Sequence, residues 1–155
     1  LTHYFSGNLH AIDFRCQEGT PLLAVEDGVV VQVTDGNTLT GIGVSNMFKW
    51  NSILLRHESD AESSPIYIEY VHIKSSSVAV GDIVKKGDRI GFSGGVGFSP
   101  EPHLHFSVFK SDEADALSVG FYFEGKDGSP YQPQAGKYYN VLGKVEKPIT
   151  FQASD

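Results

Sequence analysis

Short apolar runs recur along the chain, separated by turns rich in Gly, Asp and Asn, and helical periodicity is nearly absent. The pattern predicts an all-β domain. Strands are expected over Leu9–Phe14, Pro21–Glu26, Gly28–Thr34, Asn51–Glu58, Ile66–Ile73, Val84, Asp88–Phe92 and His103–Lys110. Weaker runs cover Val119–Glu124, Tyr138–Leu142 and Pro148–Gln152. Asp27-Gly28 reads as the turn of a hairpin pairing Pro21–Glu26 with Gly28–Thr34. Asn37–Asn46 and Ser59–Pro65 read as surface loops, and the short acidic Ser111–Leu117 as a loop or a single turn.

The stretch Gly81–Gly91 is a compact turn module in which two Gly-Asp turns flank short apolar pieces, and Ala24–Val33 has a related cadence. The combination resembles the barrel-sandwich hybrid of biotinyl and lipoyl carriers. Those carriers present a Lys at a hairpin tip, and no convincing Met-Lys or Asp-Lys hairpin occurs here. The module is therefore scaffold and not an attachment site.

With 155 residues, the chain is expected to form one domain with a core of its own. Lys and Arg number 12 against 19 Asp and Glu, a net charge of −7, which argues against a nucleic-acid surface. No apolar run has the length of a membrane helix. A lone cysteine, Cys16, excludes an internal disulfide and a multi-cysteine zinc site. A start at Leu1 without an apolar leader reads as a mature or trimmed fragment.

The chemistry lies in the six histidines. In Pro102-His103-Leu104-His105-Phe106-Ser107-Val108, strand alternation puts His103, His105 and Ser107 on one face and Leu104, Phe106 and Val108 on the other. Paired imidazoles on a strand suit zinc, although a solvated polar face would show the same pattern. In Tyr70-Val71-His72-Ile73, alternation places His72 with Ile68 and Tyr70. Asp13, within Ala11-Ile12-Asp13-Phe14, is either a cation-bound carboxylate or a surface-facing strand residue. His57 reads as structural or solvated. No His-Glu-x-x-His occurs, so a helical zinc site with a Glu base is excluded.

Together these blocks resemble the lysostaphin-type (LytM-like) zinc metallopeptidases. Pro102-His103-Leu104-His105-Phe106 follows Gly91-Phe92-Ser93-Gly94, as in that family's signature. Tyr70-Val71-His72-Ile73 is similar to its Tyr-x-His-Leu segment. Ala11-Ile12-Asp13-Phe14 with Gly19-Thr20-Pro21 and Asp27-Gly28-Val29-Val30 resembles its N-terminal block. The blocks run in order from about His3 to Val108.

The resemblance implies a duplicated hybrid motif, a barrel-sandwich core of antiparallel sheets with loops around a groove. The motif-bearing core would span about residues 3–110, with a C-terminal β extension over 111–155 in the same domain. It implies one zinc ion held by His105, Asp13 and a further histidine, with His72 and His103 as unliganded catalytic histidines. Many members place that further histidine four residues before the aspartate, where this chain has Leu9. His3 lies at an even offset from Asp13 and His10 at an odd one, so His3 is favoured, with His10 as the alternative.

The implied substrate is bacterial peptidoglycan peptide, stem or cross-bridge, cleaved outside the cytoplasm. Asn37–Trp50 and Ser59–Pro65 are placed as groove walls by position, with Phe48, Trp50 and Tyr67 as either groove or core residues. Members of the family can carry further domains or an inhibitory N-terminal segment. Two other readings remain open: an inactive member serving as a binding or regulatory module for a wall hydrolase, and a cytoplasmic sugar-transport phosphocarrier, which would need no aspartate ligand.

Overall fold

A computed structural model describes residues 6–58, 64–140 and 143–145. In chain order its strands are β1 (Ile12–Arg15), β2 (Pro21–Leu23), β3 (Gly28–Thr34), β4 (Ser52–His57), β5 (Ile66–Val71), β6 (Ile73–Ser76), β7 (Ile83–Val84), β8 (Arg89–Ser93), β9 (His103–Phe109), β10 (Phe123–Glu124), β11 (Pro130–Tyr131), β12 (Tyr138–Asn140) and β13 (Gly143–Val145). The chain divides into two compact units, Leu1–Val119 and Gly120–Asp155. The second unit holds two hairpins, β10–β11 and β12–β13. Within it, Tyr131 stacks on Tyr139 with ring centroids 5.8 Å apart.

The first unit has two antiparallel sheets. The larger runs β1-β9-β5-β4-β3-β7 and the smaller β2-β8-β6. Register assigns the two faces of the larger sheet. Ile12, Phe106, Tyr70, Ile53 and Val33 form one ladder across it, and Val108, Ile68, Leu55 and Val30 form the next. Residues paired directly across antiparallel strands share a face, so these side chains make the inner surface. Leu22, Ile73 and Ile90 of the smaller sheet are buried as well. Gly91 of β8 shows how closely the sheets approach: a Cβ there would lie 3.3 Å from Ile53 Cδ1 and 2.7 Å from the Ser75 carbonyl. Each fully buried aliphatic side chain contributes ~1.5–3 kcal/mol. Tyr70 and Phe106 meet edge to face at 5.2 Å, and the Tyr70 hydroxyl accepts the Val25 N–H at 3.0 Å.

The two Gly-Asp turns act as matching clasps. Gly81 N–H donates to the Val30 carbonyl while Val30 N–H donates to that of Asp82; Gly87 and Asp88 repeat this on Ala24. Gly81 and Gly87 have φ of 95° and 90°, conformations open to glycine at little cost.

Three sequence expectations are corrected. Pro21–Glu26 and Gly28–Thr34 do not form a hairpin: β2 pairs with β8, whereas β3 pairs with β4 and β7. Asp27 sits at the crossing between sheets, where its carboxylate accepts the Lys86 N–H and the Lys85 ammonium, each at 2.8 Å. Leu9 and His10 are not strand residues, since a 3-10 turn at Ser6–Asn8 precedes β1 and Ala11 N–H donates to the Asn8 carbonyl. Ile66–Ile73 is not one strand, because His72 breaks it with φ of 63°. Pro148–Gln152 lies outside the described residues.

Candidate metal centre

The outer face of the larger sheet carries a second set of ladders. Asp13 lies opposite His105, which lies opposite Val71, and Arg15 lies opposite His103. Pairing alone therefore brings Asp13 and His105 onto one face, as alternation on β9 required. Asp13 Oδ1 stands 2.8 Å from His105 Nδ1 and 3.8 Å from His103 Nε2. Asp13 is exposed, in line with the surface-facing strand position, while His105 is buried. Ser107, on the same face, stands 3.4 Å from His105 Nε2. A proton on Nε2 directed at Ser107 Oγ leaves Nδ1 to meet a cation, the usual way an outer partner selects the ligating nitrogen.

Asp13, His103 and His105 form a group whose ligand atoms all lie within 4.8 Å of one another. The donor types, imidazole nitrogen and carboxylate oxygen, are those of zinc. Tetrahedral zinc with bonds of ~2.0–2.1 Å separates its donors by roughly 3.3 Å. The 2.8 Å gap between Asp13 and His105 needs only a small opening to admit an ion. Asp13 and His105 supply two donors that fit the group, with the His103 ring beside them.

His72 reaches this face by leaving the sheet. Continued alternation would have sent its ring to the inner surface with Tyr70. Instead the left-handed residue turns the chain from β5 into β6 of the other sheet. A non-glycine residue there is strained by ~1–3 kcal/mol, a cost often carried at functional sites. The ring is buried, 4.7 Å from the His103 ring and 6.1 Å from the His105 ring between centroids. Its Nδ1 lies 2.7 Å from the Val96 carbonyl, so the proton sits on Nδ1 and Nε2 carries the lone pair. Burial lowers the His72 pKa to about 4, against the opposing pull of that hydrogen bond, and keeps the ring neutral at neutral pH.

The segment 96–101 also sets His103. Its Nδ1 lies 2.9 Å from the Glu101 carbonyl and 3.1 Å from Ser99 Oγ, which turns Nε2 towards Asp13. Bridges from Thr40 to Val96 and from Gly41 to Ser99 tie this segment to the loop between β3 and β4. Sequence reasoning missed Val96, Ser99 and Glu101. Two of the three act through backbone carbonyls, which leave no residue-type signal; Ser99, just before the Pro100-Glu101-Pro102 run, was the only side-chain clue.

The remaining candidates separate. His10 is exposed and belongs to no metal-capable group among the described residues. His3 lies outside the described residues. His57 Nδ1 bonds the Asp27 carbonyl at 2.7 Å, a structural role away from the cluster. Cys16 is a free thiol. Phe48 is exposed and Trp50 half-buried, their rings 6.1 Å apart, and Tyr67 is half-buried on β5.

Residues 7–117 match the peptidase family M23. The chain belongs to this family. The M23 match contains the whole Asp13–His72–His103–His105 constellation. Among curated proteins, the chain is 37% identical over 101 residues to a glycyl-glycine endopeptidase, ALE-1, of Staphylococcus capitis, covering 64% of this chain and 24% of that protein. It is 36% identical to lysostaphin of Staphylococcus staphylolyticus, over 92% of this chain and 25% of the relative. It thus spans about a quarter of the length of these curated relatives. The catalytic domain of lysostaphin from Staphylococcus simulans superposes with a TM-score of 0.53 at 34% identity, over 70% of this chain and 74% of that one. The expectation of an antiparallel all-β M23-type fold is borne out.

Proposed function

We propose that this M23 domain is a zinc-dependent endopeptidase that hydrolyses peptide bonds in bacterial peptidoglycan, in stem peptides or cross-bridges, outside the cytoplasm. One observation carries the reading: Asp13 Oδ1 and His105 Nδ1 converge at 2.8 Å beside two further imidazoles, in a chain of a peptidase family. Two relatives support the substrate class: the glycyl-glycine endopeptidase of Staphylococcus capitis, and a peptidoglycan DD-endopeptidase of Vibrio cholerae that is 32% identical over 67% of this chain.

Asp13 and His105 would hold one zinc ion, with His3 as the third protein ligand and His10 as the alternative. Bound zinc supplies Lewis acidity, which polarises a carbonyl and acidifies water towards a pKa of ~7. The chain's own groups do the rest. His72 Nε2, unprotonated and fixed from behind by Val96, accepts a proton from the attacking water. His103 holds one proton on Nδ1 against the Glu101 carbonyl, so its Nε2 donates to the developing oxyanion in the doubly protonated ring, and that second proton is the one passed to the leaving amine.

Purified peptidoglycan tests the reading. The domain should release new amino termini, stop when a chelator strips the metal, and resume with added zinc. His72→Ala and His103→Ala should each lower the rate by roughly 10²–10⁴-fold. Zinc binding without hydrolysis would leave a binding module on a hydrolase scaffold.

A further inference from the structure

Glu69 is a half-buried strand acid whose placement the reaction does not use and the fold does not explain. It lies on β5 directly opposite Ser107 of β9 and Leu54 of β4. Ser107 shares the face of His105, so Glu69 does too. Asp13, His105, Ser107 and Glu69 therefore lie on one strip across three strands of the outer face, with Asp13 exposed and Glu69 half-buried at its ends and the buried His105 and Ser107 as the floor between them. The side chain is half-buried, and no hydrogen bond or ion pair to it occurs among the described residues. Arg56, the nearest cation by register, pairs with Glu58 instead. Among the described residues no fully buried side-chain oxygen lacks a partner, so the carboxylate tip still reaches solvent. Desolvation pushes its pKa up to about 7. An acid held this way costs stability unless something cationic meets it.

The distance suits a peptide ligand. Strands lie ~4.8 Å apart and residues rise ~3.3 Å, so Glu69, two strands across and two residues along from Asp13, is roughly 12 Å away. An extended peptide covers that in three or four residues. We propose that Glu69 is a substrate-reading carboxylate that takes a primary ammonium group of the peptide, three or four residues from the bond at Asp13 and His105. The inference rests on the peptidase reading for its substrate class. The ammonium can come from a peptide's amino terminus or from a diamino-acid side chain.

Three peptides separate these sources: hexaglycine amide, its N-acetylated form, and the acetylated form with Lys as its last residue. The zinc-loaded full chain and Glu69→Gln are compared on each, by kcat/KM and by calorimetric binding, with folding and zinc content checked first. The wild type should prefer at least one amine-bearing peptide over the acetylated one by roughly ten-fold or more, the scale of one charge-assisted hydrogen bond. Glu69→Gln should bring that ratio close to one, mainly through KM. Whichever peptide shows the preference identifies the source. No preference in the wild type, or a preference that survives the substitution, overturns the proposal. An equal loss on all three peptides also overturns it, since the acid would then act on His105 through Ser107. Binding that prefers the amine and loses this in Glu69→Gln, without any cleavage, would uphold the proposal while sinking the hydrolase reading.

Discussion

Glu69 and His72 mark where single residues depart from what folding alone would select. For Glu69 the sign is fixed by its raised pKa. The folded state holds its proton more tightly than the unfolded state, with a pKa of about 7 against a usual 4.5. Its neutral form is fully compatible with folding below about pH 4.5, and stability falls as pH rises through about 7. Glu69→Gln should therefore be more stable than the wild type at pH 8 and equal to it near pH 4.5, as read from melting temperatures across pH. A stabilising substitution at a site-facing position is the signature of a residue retained for ligand. Much of the centre was legible one residue at a time. Period two puts His103, His105 and Ser107 together, and an acid among apolar strand neighbours singles out Asp13. His72 was legible as a residue but not as a geometry, because its left-handed backbone is imposed by the change of sheet at Val71 and Ile73 and not by its own preference. Glu69 sits in plain alternation, and only the cross-strand register shows what it faces.

At the scale of elements, the loop between β3 and β4 and the segment 96–101 hold the His72 and His103 rings, and both depend on close packing at few points. Asn51 is fully buried, with its side chain accepting the Asn37 N–H at 3.0 Å and donating to the Asn37 carbonyl at 3.1 Å. Asn51→Ala strands two backbone groups and should cost about 2–4 kcal/mol, measurable by urea unfolding. Gly97 has φ of 97°, and a Cβ there would lie 2.9 Å from Trp50 Cα. Gly97→Ala should displace the Val96 carbonyl from His72 Nδ1 and lower kcat, with zinc content unchanged. A variant with wild-type kcat would show that Val96 does not position the ring. Strand existence was largely readable here: Gly28–Thr34 coincides with β3 and His103–Lys110 extends β9 by one residue. Pairing was not. The Asp27-Gly28 dipeptide has hairpin chemistry, yet the neighbouring clasps at Gly81 and Gly87 hold its two flanks in different sheets.

Across the whole molecule, the buried hydrophobic residues among those described all fall between Leu22 and Val108, and the M23 match ends at residue 117. The core and the candidate metal centre thus belong to the first unit. A chain ending at Val119 should fold cooperatively and keep its zinc affinity within about two-fold, measured by competition with a chromophoric chelator. Loss of folding would show that residues 120–155 complete the core. The sequence carried the family blocks of this unit in order but no motif beyond Lys110, which is why the second unit was expected only as a β extension.

The zinc content of the purified chain and of its His105→Ala variant, by elemental analysis after dialysis against trace zinc, tests the metal centre most directly. About one ion per wild-type chain is expected, with nearly all of it lost in the folded variant. A wild-type chain without stoichiometric zinc, or a variant that keeps it, would contradict a catalytic centre built on Asp13 and His105.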